Sequence, residues 1–219
     1  MIQRVILLVV CLLMIGAFEV NEARAAGIGV YGTVSGGRAD WTPENERTFK
    51  KDTNHLGGGL AFDSAPATDG LFNYQLNIGY DRFENRNSKA WGRAEFEGVV
   101  VSNSFCFGGR LTPSTRLWVG PEIRLEWADG KPDDYQDYKI HMFGIGLGPV
   151  LGLNINAGEN LTFVVKTGYQ YISYHAYGDG FYSHTTNNST TSHNYDYETT
   201  EKMLYVTIGF LFRTSGDRR

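Results

Sequence analysis

The sequence predicts an all-β chain, an eight-stranded antiparallel transmembrane β-barrel preceded by a cleaved signal peptide. Three observations support this: an apolar N-terminal segment ending at a small-residue site, later segments of alternating apolar and polar residues, and connectors that alternate between short and long. The composition agrees with them. The 219 residues include 27 Gly, 13 Tyr and 13 Phe but only 6 Pro, which favours many strands over helices.

Composition also excludes two broad classes of protein. The chain carries 20 Lys and Arg against 24 Asp and Glu, a net charge of −4, whereas a nucleic-acid-binding protein should show a basic stripe. Hydrophobic residues make up 42% and aromatic residues 14% of the chain, too much apolar content for a disordered protein. We therefore expect a folded protein with no nucleic-acid partner.

Residues 1–25 are predicted to be a secretory signal peptide. Arg4 gives a positive start, Val5–Phe18 is an almost unbroken apolar run, and Ala23–Ala25 supplies the small residues of a cleavage site. The apolar run is short of the roughly 20 residues that a membrane-spanning helix needs. An uncleaved anchor helix is therefore the less favoured alternative.

The predicted mature chain has few ways to be stable outside the cytoplasm. Cleavage removes Cys11 and leaves Cys106 alone, which excludes an internal disulfide and a multi-cysteine zinc cluster. No later apolar run is long enough for a transmembrane helix. The choice is then between a soluble β-domain and a membrane-spanning barrel.

The alternation of side chains favours the barrel, because successive residues of a strand point to opposite faces. The clearest segments are Phe72–Asp81 and Arg116–Trp127, whose apolar and polar residues separate almost completely. Weaker versions occupy 28–36, 56–62, 93–111, 143–151, 161–171 and 204–212. Within 93–111 the apolar parity changes between Phe96 and Val99, which predicts a bulge near Gly98.

The connectors between these segments alternate in length. Short turns contain Pro66, Pro113 and Gly158, and long polar links lie at 37–54, 82–92, 128–138 and 177–200. This layout is typical of a barrel in the bacterial outer membrane, whereas a soluble sandwich need not sort its loops in this way. We predict a barrel over 26–212 and a short polar tail over 213–219. Its surroundings would be outer-membrane lipid and lipopolysaccharide.

The two faces of a membrane-spanning strand meet different surroundings. Hydrocarbon offers no hydrogen-bond partner, so the outward face should be apolar, whereas the lumen can hold polar residues. The predicted lipid-facing residues are Phe72, Tyr74, Leu76, Ile78, Leu117, Val119, Ile123, Leu125, Phe210 and Phe212. The predicted lumen charge ladder consists of Arg116, Glu122, Arg124 and Glu126, joined by Lys166, Asp81 and Arg110. Eight strands leave room only for side chains inside. We therefore interpret the ladder as a salt-bridged plug rather than a selectivity lining or gate.

These features together resemble the small outer-membrane β-barrel family of the OmpA transmembrane domain, OmpX and OmpW. The resemblance rests on the signal peptide, the eight alternating strands and the terminal segment Leu204–Phe212. It covers nearly the whole mature chain as an architecture, without a residue-level signature. It implies recognition of the terminal aromatic by the barrel-assembly machinery, although here Arg213–Arg219 follow Phe212. A likeness to OmpW implies a narrow channel or carrier for small hydrophobic molecules.

The predicted role is non-enzymatic, a structural or surface-interaction function of the long outer loops. The link 177–200 is rich in Tyr, His, Asn, Ser and Thr, the chemistry of adaptable binding surfaces. The alternative is a solvated loop with no ligand. Ser183, His184 and Asp179 could be imagined as the hydrolytic site of a lipid-modifying enzyme, but their spacing is not diagnostic. No catalytic residue is therefore predicted.

No metal or cofactor is predicted either. The histidines are scattered, at His55, His141, His175, His184 and His193. Their spacing does not match a metal motif such as H-E-x-x-H. The acidic residues of one outer link are Asp129, Asp133, Asp134 and Asp137. They suggest a minor alternative, a patch for divalent cations that bridge lipopolysaccharide phosphates.

Overall fold

The computed structural model describes residues 26–43, 48–67, 70–86, 93–132, 139–179, 181–183, 190–192 and 195–213. Eight long strands form the wall: β1 (Gly27–Pro43), β2 (Phe49–Asp63), β3 (Phe72–Arg86), β4 (Arg93–Thr112), β5 (Thr115–Pro132), β6 (Lys139–Ala157), β7 (Leu161–Asp179) and β10 (Tyr195–Arg213). Between β7 and β10, β8 (Phe181–Ser183) and β9 (Thr190–Ser192) pair as a separate two-stranded sheet. The predicted signal peptide and the tail beyond Arg213 lie outside the described residues.

The wall is a closed antiparallel ring, as the sequence predicted. Each long strand pairs with the next, and β1 pairs with β10 from Gly27↔Arg213 to Pro43↔Tyr197. Closure leaves no edge with unpaired backbone groups, which is what hydrocarbon requires of a sheet. Within the described residues, no helix is long and apolar enough to cross a membrane.

The strands are longer than the sequence predicted. Their 15 to 20 residues exceed the roughly 9–11 that a bilayer-spanning strand needs. They take up much of the predicted long links, so that the first link is reduced to the stretch between Pro43 and Phe49. The alternation of apolar residues stops where charged residues begin, but backbone pairing between neighbouring strands continues beyond that point. The wall is therefore longer than a bilayer requires, and the additional length lies on the side of the long connectors.

Side-chain exposure alternates along the strands and identifies the two faces. Outward residues form an apolar belt that includes Ile28, Val30, Leu56, Leu60, Leu147, Leu204 and Phe212, all more than half exposed. The predicted lipid-facing residues Phe72, Leu76, Ile78, Leu117, Val119, Ile123, Phe210 and Phe212 lie on this outward face. The inward residues are mostly buried.

Two residues predicted to contact lipid are instead buried. Tyr74 is 3% exposed; its hydroxyl donates to Asn103 Oδ1 at 2.5 Å and its ring packs on Phe105. Leu125 is 1% exposed and has Val101 and Ile145 as cross-strand neighbours. Both lie on the outward face by register, but neighbouring side chains of that face cover them. Parity predicts the face of a residue, not whether its neighbours shield it.

The predicted bulge at Gly98 is wrong. Gly98 pairs regularly with Asp81 and with Ala128, and the register of β4 shifts only between Arg110 and Thr112. The apolar parity changes because Phe96 points inward and is 1% exposed. An apolar residue in the lumen produced the signal that had suggested a bulge.

Two prolines interrupt the wall. Regular pairing between β4 and β5 stops opposite Pro121, and that between β6 and β7 stops opposite Pro149. The two prolines face each other across β5 and β6, and both are exposed. Proline has no backbone N–H to donate to a neighbouring strand. The ladder is thus interrupted on both sides of the β5–β6 pair.

Candidate functional site

The inward faces of the strands bring charged residues from distant parts of the sequence into the narrow lumen. Nearer the long connectors lies a group that we call the upper network, which comprises His55, Asp81, Arg124, Glu126, Tyr174 and Glu201. Nearer the short turns lies the lower network, which comprises Ser104, Glu122, Lys166, Gln170 and Tyr205. The predicted ladder therefore divides into separate layers.

Arg124 is the central cation of the upper network. Its Nη2 donates to Asp81 Oδ2 at 2.5 Å, and its Nε donates to Glu126 Oε2 at 2.9 Å. Tyr174 joins the carboxylates, since its hydroxyl lies 3.2 Å from Glu126 Oε2 and from Glu201 Oε2. All five residues are buried. One guanidinium thus lies among three carboxylates.

His55 bridges two of these carboxylates. Its Nδ1 lies 3.2 Å from Asp81 Oδ2, and its Nε2 lies 2.9 Å from Glu201 Oε1. The Thr53 hydroxyl also donates to Glu201. No predicted site included His55, although its parity places it on the inward face of β2 with Thr53 and Gly57.

The lower network surrounds Glu122 with donors. Lys166 Nζ and Ser104 Oγ both donate to Glu122 Oε2 at 2.6 Å. The Tyr205 hydroxyl donates to Oε1 at 2.7 Å, and Gln170 Nε2 lies 3.2 Å from the same oxygen. A buried carboxylate with a lysine and several hydrogen-bond donors is well compensated. This layer is electrically balanced.

A buried polar cluster occupies the lumen at the short-turn end. Asp63 accepts hydrogen bonds from the side-chain amides of Asn73, Gln75 and Asn154, at 2.8–3.2 Å. Arg116, predicted to join the charge ladder, is buried but donates to the carbonyls of Ala65, Gly70 and Leu71 in the first short turn. The arginine therefore attaches that turn to the barrel wall.

Arg110 does not belong to the lumen ladder. It is exposed, and its guanidinium donates to the Ala67 carbonyl at the rim. Arg110 occupies a position of β4 whose parity is that of the inward face. It lies, however, beyond the short-turn end of the lumen, next to the register shift of β4. Parity alone does not show where along a strand the lumen ends.

Glycines opposite large side chains make this packing possible. A Cβ at Gly152 would lie 2.0 Å from the Trp118 ring, and one at Gly144 would lie 2.4 Å from the Tyr174 ring. Trp118 donates through Nε1 to Asn154 Oδ1 at 2.8 Å, which places it inside the barrel. The missing side chains provide the space that the aromatic rings fill.

An aromatic stack covers the upper network on the side of the long connectors. The His55 ring stacks on Phe83 at 4.5 Å, and Phe83 stacks on Phe96 at 4.9 Å. Trp41 contacts Phe96, and Lys51 Nζ lies 4.9 Å from the centre of the Trp41 ring. These inward aromatic residues separate the charged layer from the outer end of the barrel.

The remaining histidines have different surroundings. His141 lies on the outer wall, where Nδ1 is 2.6 Å from Asp129 Oδ1 and the ring stacks on Tyr177. His175 is exposed on the same face. His184 and His193 lie outside the described residues, as do Asp133, Asp134 and Asp137. The side chains of Ser183 and Asp179 are likewise not described.

The outer wall carries ion pairs above its apolar belt. Arg82 pairs with Glu95 at 2.5 Å, Arg86 pairs with Glu84 at 2.7 Å, and Arg93 pairs with both of these glutamates. The predicted acidic patch is represented among the described residues by Asp129, which is exposed beside His141. Both charge signs are therefore present where lipid headgroups would begin.

Comparison with known proteins identifies the fold but not a specific relative. No family model and no curated protein matches the sequence. The structure is similar to the crystal structure of the outer membrane protein OprG from Pseudomonas aeruginosa, with 14% sequence identity, a TM-score of 0.61, and coverage of 88% of this chain and 96% of that one. The chain has the fold of an outer-membrane β-barrel.

A second similar structure is a major outer membrane protein from Thermus thermophilus. It shares 12% identity, has a TM-score of 0.48, and the match covers 84% of this chain and 99% of that one. The fold and the apolar outer belt together place the barrel in a bacterial outer membrane.

Proposed function

We propose that the protein is a non-enzymatic surface barrel that holds its outer connectors rigidly above the membrane for contact with a partner. The observation that carries the proposal is the burial of the charged residues that line the lumen. Asp81, Glu126 and Glu201 are each 1% exposed, and Glu122 is 2% exposed. A water-filled pore would leave its lining accessible, so this arrangement supports a plug rather than a path for ions.

The length of the strands supports the same role. The wall continues past the apolar belt with exposed charged residues such as Arg38, Asp52 and Lys202. Backbone pairing in this extension is continuous, for example at Arg38↔Asp52 and Arg38↔Lys202. A rigid extension lowers the entropic cost of presenting a binding surface.

Conductance tests the sealed lumen. In planar bilayers the full chain is expected to show no stepwise ion conductance. The double variant Glu122→Ala and Lys166→Ala, which removes the central pair of the lower network, should raise the frequency of conducting events. Frequent steps from the wild-type protein would contradict the plug.

Contact through the outer connectors is tested by binding. Detergent-purified full chain would be applied to a glycan array and to immobilised lipopolysaccharide, beside a variant in which residues 184–189 are replaced by Gly and Ser. We expect binding to at least one probe and its loss in the variant. Binding that is unchanged in the variant would assign recognition to another surface.

A carrier for small hydrophobic molecules is a second candidate, favoured by the interrupted wall at Pro121 and Pro149. Where backbone hydrogen bonding between neighbouring strands is interrupted, an apolar molecule could pass between the strands. The double variant Pro121→Ala and Pro149→Ala restores two N–H donors. It should reduce uptake of a fluorescent hydrophobic probe by cells several-fold, with Pro113→Ala in a short turn as control. Equal uptake by all three proteins would exclude this route.

A further inference from the structure

Three residues of the upper network bring together the donor atoms of a metal site. His55, Asp81 and Glu126 come from β2, β3 and β5, and one potential ligand atom of each lies within 4.8 Å of those of the other two. All three are buried. Imidazole nitrogen and carboxylate oxygen are ligands that Zn²⁺ and neighbouring transition-metal dications accept. The separation in sequence explains why no motif revealed them.

The charges in this layer do not balance. The carboxylates of Asp81, Glu126 and Glu201 lie around Arg124, and Lys166 is already paired with Glu122 in the lower network. With a neutral imidazole, the upper network carries two excess negative charges, and with an imidazolium it still carries one. A dication bound beside a neutral His55 would cancel the excess. Burial makes such compensation valuable, because uncompensated charge away from water is costly.

Two buried oxygens of the same residues have no hydrogen-bond partner. They are Asp81 Oδ1 and Glu126 Oε1, whereas the other oxygen of each carboxylate accepts from Arg124. Buried polar atoms are nearly always paired, and an unpaired carboxylate oxygen is therefore unusual. Each of these residues retains unused capacity to bind a cation.

The geometry at His55 also fits a metal ligand. Nδ1 and Asp81 Oδ2, the oxygen that also accepts from Arg124, are 3.2 Å apart, close to the roughly 3.3 Å that separates two ligands of a tetrahedral zinc ion. The other nitrogen, Nε2, lies 2.9 Å from Glu201 Oε1, which Thr53 also contacts. A carboxylate that accepts the second N–H of a ligating histidine fixes its tautomer and orientation.

We propose that His55, Asp81 and Glu126 bind one transition-metal dication of the zinc class inside the barrel, with Glu201 positioning the histidine. The ion would connect three strands at the level of the upper network. Because Phe83 and Phe96 cover this layer, the ion would enter during folding and exchange slowly afterwards. The proposal does not depend on what the outer connectors bind.

The test is metal content of the full chain, prepared without a histidine tag. Protein refolded into detergent with Zn²⁺ and then desalted is expected to retain about one zinc per chain by mass spectrometry of the metal, and His55→Gln should retain at least tenfold less. His141→Gln, which alters a partly exposed histidine of the outer wall, is the matched control and should retain the wild-type amount. Heat-modifiable gel migration verifies folding of each variant.

Refolding with Co²⁺ provides a readout that needs no variant. Wild-type protein should show the visible absorption bands of cobalt bound to nitrogen and oxygen ligands. If His55→Gln does not fold, Glu126→Gln replaces it in the zinc measurement. Wild-type protein that retains no zinc and shows no cobalt bands, or a folded His55→Gln that retains as much zinc as wild type, would overturn the proposal.

Discussion

Replacing Arg124 by methionine is expected to lower the free energy of unfolding by about 3–5 kcal/mol, the cost of breaking a buried ion pair by removing one partner. The change leaves Asp81 and Glu126 buried without their shared cation, from which they now accept hydrogen bonds at 2.5 and 2.9 Å. Methionine keeps much of the arginine volume, so the loss would come from charge rather than from a cavity.

Urea titration of the barrel in lipid vesicles, followed by tryptophan fluorescence, measures this effect. The control is Arg82→Met, because Arg82 also pairs with a carboxylate but its side chain is 61% exposed on the outer wall. Exposed ion pairs contribute little, so this variant should unfold close to the wild-type midpoint. A similar loss of unfolding free energy in both variants would show that burial of the upper network does not determine the effect of removing an arginine.

Replacing Ile123 by arginine is expected to destabilise the barrel by roughly 2–4 kcal/mol, as an arginine near the midplane of a lipid-facing wall does. Ile123 lies on the outward face of β5, midway between Thr115 and Pro132. Its cross-strand neighbours are Asn103 and Leu147. A charge there would have to enter hydrocarbon or distort the bilayer.

Asp129→Arg is the matched control, because it places an arginine on the same strand face but farther from the bilayer midplane. Asp129 lies on the same strand and the same face, above the apolar belt, and is exposed. The same vesicle assay should find this variant close to wild type in stability. If Ile123→Arg proved equally harmless, the outward face of β5 would not contact hydrocarbon.

Much of the fold could be predicted because a strand in a bilayer must separate its two faces residue by residue. Phe72–Asp81 and Arg116–Trp127 carry this separation in their own sequence, and their faces lie as predicted. The predictions were wrong where a residue departs from the rule that exposed apolar residues face outward and polar residues face inward. Phe96 is apolar yet inward, and Tyr74 is outward yet covered, because packing against other strands decides both.

The candidate site was less predictable. Glu122 and Lys166 were recognised as inward charges, but their direct pairing at 2.6 Å depends on the register of β5 and β7 in the closed ring. The parity of His55 indicates that it faces inward but not which residues it contacts, since its two partners lie 26 and 146 residues away. Arg116 and Arg110 have inward parity, and only their position along the barrel gives them other partners.

The sequence by itself determined the closed barrel, the number of strands in its wall and the inward polar face. These follow from alternation, which is local and which the bilayer enforces at every residue. Only the tertiary structure decided which charges meet, how far the wall extends and where the aromatic stack covers the lumen. Closure brings eight distant segments around one axis, and the contacts across that axis depend on register and on the space left by glycines such as Gly144 and Gly152.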